Sequence, residues 1–191
     1  MGELKSAWEI AQEKASKLGK LSPEEEQRQR EEKCRQIGQG VTQRWLDASQ
    51  GQDLAGEINS YPEKEKSLIK QAAIGYLIEA IDFQGLSPDM RRLDRAIQGI
   101  ASLEPKSEPV LQRTSELAQE YAQAKRKARQ ELESKVKEVL HQLRISGTAV
   151  GDINLEAAPQ WQEREQRLIE AFLPRLDSLK QELFCIFGLM C

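Results

Sequence analysis

From Glu108 to Ile145 the chain carries one continuous helical pattern, opened by Ser107-Glu108-Pro109 and closed by Ser146-Gly147. At 1.5 Å per residue such a helix is on the order of 55 Å long, well beyond the ~30 Å width of a small domain. Its apolar stripe runs Leu111, Ala118, Tyr121, Ala128, Leu132, Val136, Val139 and Leu143, with Lys125 in the middle, at a spacing close to seven. A stripe of that period is a seam for another helix. The expected architecture is therefore an elongated all-α bundle of six to seven helices with this one as spine. Composition agrees, because Val and Thr together supply only eight of 191 residues, too few β-branched side chains for an all-β fold. Leu, Ile, Val and Phe make up 44 residues, enough for a genuine core.

The remaining helices are read from their punctuation. Glu3 to Leu18 places Leu4, Trp8, Ala11, Ala15 and Leu18 on one face, and Gly19 ends it. Ser22-Pro23-Glu24-Glu25 has the order of a capping box, Ser at N-cap and Glu at N3. The helix it opens starts with EEEQRQREEK, ten residues without an apolar side chain, before the stripe Cys34, Ile37, Val41, Trp45. Those ten read either as a solvated start held by pairs such as Glu24–Arg28 and Glu26–Arg30, or as an arm that meets a partner. Asp47 to Asn59 reads as a loop with a short turn, and Ser60-Tyr61-Pro62-Glu63 as a second capping box.

Ser67 to Phe83 is apolar on nearly every side, which marks a helix buried on several faces and makes it the hub. Gly75 within it is expected to admit a close backbone neighbour. Ser87 to Leu103 should turn Met90, Leu93, Ala96, Ile97 and Ile100 inward and Arg91, Arg92 and Arg95 outward. Thr148 to Ala158 is irregular. Gln160 to Phe187 is helical again, with Pro174 expected to kink or split it. The chain reads as one domain, 1–191, with a natural division into a core of 1–105 and a long helix plus C-terminal hairpin of 106–191.

Catalytic ingredients are scarce. His141 is the lone histidine, and Glu138–His141 is one Glu-x-x-His where a di-metal bundle needs two. Cys34, Cys185 and Cys191 are widely spaced and lie near no activating residue. Gly38-Gln39-Gly40 precedes no Lys and sits within a helical stripe, so it is not a phosphate cradle. The expectation is a non-enzymatic protein with no catalytic, cofactor or metal site and no cofactor.

Charge and apolar patterning point instead to partners. Net charge is −3, yet Leu111 to Ile145 carries eight basic against five acidic residues. Lys125, Arg126, Lys127 and Arg129, with Arg91, Arg92 and Arg95, form the candidate nucleic-acid patch; its bland reading is a solvated face beside an acidic helix. The end of the chain, LFCIFGLMC, is its most apolar stretch. It either folds back on the core, docks on another chain through Leu183, Phe184, Ile186, Phe187, Leu189 and Met190, or contacts a membrane. The favoured function is a protein–protein interaction or scaffold role with self-association through helix faces and this C-terminal stretch; the alternative is binding of RNA or a ribonucleoprotein.

The longest uncharged run, Leu183 to Cys191, is nine residues, against roughly 20 for a membrane span. The start MGELKSAWEI lacks an apolar signal core and the odd cysteines make no disulfide framework, so a cytoplasmic location is expected. Lys5-Ser6-Ala7-Trp8-Glu9-Ile10-Ala11, followed by Glu13-Lys14-Ala15, resembles the opening of small uncharacterised helical bacterial proteins. The resemblance implies a bacterial cytoplasmic origin and brings with it no activity and no functional residue.

Overall fold

The computed structural model describes residues 22–47, 53–83, 90–143, 155 and 158–189. They form α1 (Pro23–Asp47), α2 (Leu54–Asn59), α3 (Glu63–Ala80), α4 (Arg91–Leu103), a 3₁₀ turn (Pro105–Ser107), α5 (Glu108–Gln142) and α6 (Pro159–Ile186). Among the described residues there is no strand, so the all-α expectation holds. The expected helix over 3–18 and most of the irregular stretch 148–158 lie outside the described residues.

The capping box at Ser22 forms as read. The Glu25 amide donates to Ser22 Oγ at 3.2 Å, and the Ser22 amide donates to Glu25 Oε2 at 2.8 Å. Residues 22–33 are exposed throughout, and burial begins at Cys34. The surface bonds there run Gln27 to Glu31 and Arg35 and Gln36 to Glu32, in place of the expected Glu24–Arg28 and Glu26–Arg30 pairs.

α3 is the hub, packed against α1, α2, α4 and α6. It buries Ile69, Ala73, Ile74, Leu77 and Ile78, and its four large side chains contribute roughly 1.5–3 kcal/mol each. Around it close Cys34, Val41 and Leu46 of α1, Leu93, Ala96 and Ile100 of α4, Leu117 and Tyr121 of α5, and Leu176, Leu179 and Leu183 of α6. Phe83 stacks on Tyr121 with centroids 4.5 Å apart, and Phe172 meets both rings edge-on.

Four details differ from the sequence reading. Ser60 does not cap α3: it closes α2, donating from Oγ to the Glu57 carbonyl at 2.7 Å, and α3 starts after Pro62 without a side-chain cap. α2 itself is a six-residue helix capped by Asp53, whose Oδ1 accepts from the Gly56 amide at 2.9 Å, where a loop with a short turn was expected. Of the kink or split expected at Pro174, the split does not occur, and the residue lies inside a continuous α6. The close helix approach falls at Gly38 and not at Gly75. A β-carbon at position 38 would stand 2.8 Å from both the Ala72 Cβ and the Ile69 carbonyl oxygen, whereas at 75 it would meet only Leu189 Cδ1 at 3.9 Å.

Candidate functional site

α5 and α6 form an antiparallel hairpin whose charges fix its register. Arg113 grips Glu182 with both guanidinium arms, Arg175 bonds Glu120 at 2.8 Å, and Arg164 reaches Glu131 at 3.7 Å. Along α5 these positions step by seven and then eleven residues, and α6 steps back by the same amounts. Lys125 pairs with Glu165 at 2.5 Å on a neighbouring line. Beneath them, Leu132, Trp161 and Leu155 make a second buried cluster, separate from the main core, with Ala128, Val136 and Ala158 against it.

That register leaves α5 longer than its partner. Five residues from Arg164 back to Pro159 match five from Glu131 forward to Val136, so α6 begins level with Val136. The last turns of α5 overhang, and Val139 and Leu143 are 53% and 63% exposed although they continue the apolar stripe. Sequence periodicity put both on the seam. It could not show where the seam ends, because that depends on where α6 starts.

The basic residues divide. Arg95 is not outward: its guanidinium lies 4.3 Å over the Trp45 ring, its Nε donates to the Trp45 carbonyl at 2.6 Å, and Trp45 Nε1 donates to the Arg95 carbonyl at 3.0 Å. Arg92 pairs with Asp47 at 3.2 Å, and Arg91 is exposed but also engaged. On α5, Lys125 is half-buried in its pair with Glu165. Arg126 donates to the Ala122 carbonyl of its own helix at 3.4 Å, Lys127 is exposed, and Arg129 is exposed with a partner of its own. The seven do not converge as a single unpaired patch.

The C-terminal residues fold back. Leu183 is fully buried in the core, with Phe184, Phe187 and Leu189 packed against it, while Ile186 stays exposed. Met190 lies outside the described residues.

The potential chemistry is dispersed. Cys34 is 1% exposed, and burial, helped by the Glu65 charge, pushes its thiol pKa up, away from a reactive thiolate. His141 is exposed in the last turn of α5. Among the described residues no three His, Cys, Asp or Glu side chains gather as a metal site. No described helix is long and apolar enough to cross a membrane. Burial and the charges of Glu165 and Asp82 push the Tyr121 phenol up to about 12, and its hydroxyl has no hydrogen-bond partner.

Neither a curated protein nor a solved structure matches the chain. Residues 5–15 lie before the stretch that a family profile does match. That stretch, residues 55–184, runs from α2 through the hairpin, and by it the chain belongs to a family of unknown function, DUF6657.

Proposed function

We propose that the chain is a non-enzymatic protein–protein interaction or scaffold module of the cytoplasm that self-associates through the overhanging end of α5. The observation that carries the reading is the overhang, where the apolar stripe outruns α6 and leaves Val139 and Leu143 exposed one helical turn apart. Apolar side chains at that spacing on a helix end form a seam that a second helix covers. The apolar pattern assigns self-association to the C-terminal stretch as well. Its residues Leu183, Phe184, Phe187 and Leu189 are engaged within the chain, which moves the weight onto α5. Cys34 is an unbridged thiol, in keeping with a reducing compartment.

Sedimentation velocity of the full chain across a hundredfold concentration range tests this. The wild type should associate, and Val139→Glu with Leu143→Glu should sediment as a monomer at every concentration. A monomeric wild type, or an associating double variant, refutes the reading. Pull-downs at low and high salt, with and without nuclease, distinguish the nucleic-acid alternative. Partners lost to salt and nuclease, and lost again on changing Lys125, Arg126, Lys127 and Arg129 to Glu, would favour it.

A further inference from the structure

A groove of about 460 Å³ lies open between α1 and α3. Its floor is the half-buried face of α3, where Leu68, Ala72 and Tyr76 follow one another at four-residue steps, and Phe184 and Leu189 from the end of α6 close one side. From Leu68 to Glu79 the groove follows α3 for eleven residues, about 16 Å. The rim is acidic. Glu31 and Glu79 have no ion-pair partner among the described residues, whereas Arg35, the one basic residue of the lining, is paired with Glu32 at 3.4 Å.

The overhang of α5, at the far end of the hairpin arm, has the opposite character. From Val136 to Leu143 is seven residues, about 10 Å, which fits within the length of the groove. At about 100° per residue, Val139 and Leu143 stand about 40° apart around the helix, flanked by Leu140 on one side and Lys135 on the other. Lys135 is exposed and has no ion-pair partner among the described residues. Lys137, Glu138 and His141 fall on the far side of the helix, so the charge nearest the apolar stripe is positive. Tip and groove of one chain cannot meet. Phe184 stands near the C-terminal end of α6 and the overhang lies beyond its N-terminal end, and from Pro159 to Phe184 is twenty-five residues of helix, about 37 Å.

We propose that Val139 and Leu143 of one copy seat in the α1–α3 groove of a second copy, against Leu68, Ala72 and Tyr76, with Lys135 facing the acidic rim. This docking rests on the reading of the overhang as a self-association surface, and it names the surface that receives it. Because tip and groove are different surfaces, each added copy presents both again. Association therefore runs head to tail past the dimer unless it closes into a ring.

Complementation between two variants tests this. Val139→Glu with Leu143→Glu disables the tip and leaves the groove. Gly75→Arg disables the groove and leaves the tip, and position 75 has room for a side chain, since a β-carbon there meets only Leu189 Cδ1 at 3.9 Å. Gln39→Arg with Gln71→Arg, both at exposed positions of the lining, is a second groove variant. In sedimentation velocity each variant alone should raise the dissociation constant at least about tenfold, because a charge would have to be desolvated in the contact. An equimolar mixture of the tip variant with either groove variant should regain association and stop at one copy of each, while the wild type grows past the dimer. If either groove variant associates like the wild type while the tip variant stays monomeric, the overhang still self-associates and the docking is refuted. Single variants that are monomeric and stay so when mixed refute it as well. If the tip variant associates, or the wild type does not, the reading of the overhang falls and the docking falls with it.

Discussion

Gly38→Ala should destabilise the protein although it improves the intrinsic helix propensity of α1. The added methyl would stand 2.8 Å from the Ile69 carbonyl oxygen, 2.8 Å from the Ala72 Cβ and 3.1 Å from the Ala73 nitrogen. Two of these atoms are backbone and the third is a lone methyl, so no rotamer change relieves the contact. Ordinary contact begins near 3.4 Å, leaving a shortfall of about 0.6 Å that α1 must make up by moving away from α3. Overpacking of this kind costs roughly 1–3 kcal/mol, and replacing Gly with Ala within a helix returns at most about 1 kcal/mol. Taking about 2 kcal/mol for the overpacking against about 1 for the propensity, the net expectation is a loss of about 1 kcal/mol, or roughly 2–4 °C in melting temperature for a chain of this size. Gly75→Ala is the control. Its methyl meets only Leu189 at 3.9 Å, so propensity dominates and the variant should gain about 0.5–1 kcal/mol. Urea unfolding followed by far-ultraviolet circular dichroism measures both, and Ala72→Gly added to Gly38→Ala should recover part of the loss. If Gly38→Ala is as stabilising as Gly75→Ala, the two helices are not in the tight contact described.

Leu77→Ala, which empties a fully buried site at the hub, should cost about 2–5 kcal/mol, whereas Val139→Ala on the exposed overhang should move the urea midpoint negligibly. Tyr121→Phe should be neutral or slightly stabilising, because the hydroxyl it removes is buried without a partner. The phenol ionises near 10 when unfolded and near 12 when folded, so the unfolded chain loses its proton first. Stability should then fall as pH rises from about 10 to about 12, and Tyr121→Phe should flatten that part of the curve. Arg95→Ala removes the stacking on Trp45 and a bond to its carbonyl, and should cost about 1–3 kcal/mol in thermal unfolding. Arg175→Ala, which loses an exposed ion pair with Glu120 and a guanidinium 5.7 Å over the Phe172 ring, should cost about 1 kcal/mol, with the ion-pair share shrinking at high salt.

Much of the fold was legible because it is written in helical periodicity and local punctuation. The stripe Cys34, Ile37, Val41, Trp45 and the inward set Leu93, Ala96, Ile100 are buried or half-buried as their spacing required. What escaped depends on contacts between distant segments. Ser60 and Glu63 stand three apart, as in a capping box, but Ser60 is held by the end of α2, whose six residues carry too little periodicity to announce a helix. Arg95 lies beside two other arginines and reads as solvated; only the arrival of Trp45, fifty residues earlier in the chain, turns it inward. Gly38 and Gly75 look equivalent within their helices, and only the crossing of α1 over α3 decides which one is needed. The exposure of Val139 and Leu143 follows from the pairing register of the hairpin, which sequence periodicity leaves undefined.

The three arginine–glutamate rungs on the hairpin stand at a spacing with its own bearing on how two helices wind. A seven-residue step shortens the helical repeat to 3.5 and winds two helices to the left, while an eleven-residue step lengthens it to about 3.67 and winds them to the right. From Arg113 to Glu131 the rungs take one step of each kind, so the opposite twists cancel over eighteen residues. Eighteen residues in five turns is about the 3.6 of an uncoiled α-helix. That spacing calls for no supercoil between the two helices from Arg113 to Glu131. Inserting a single heptad into both helices would extend the arm by about 10 Å and add leftward winding. Adding eighteen residues to each would lengthen it by about 27 Å and return the tip to the same bearing.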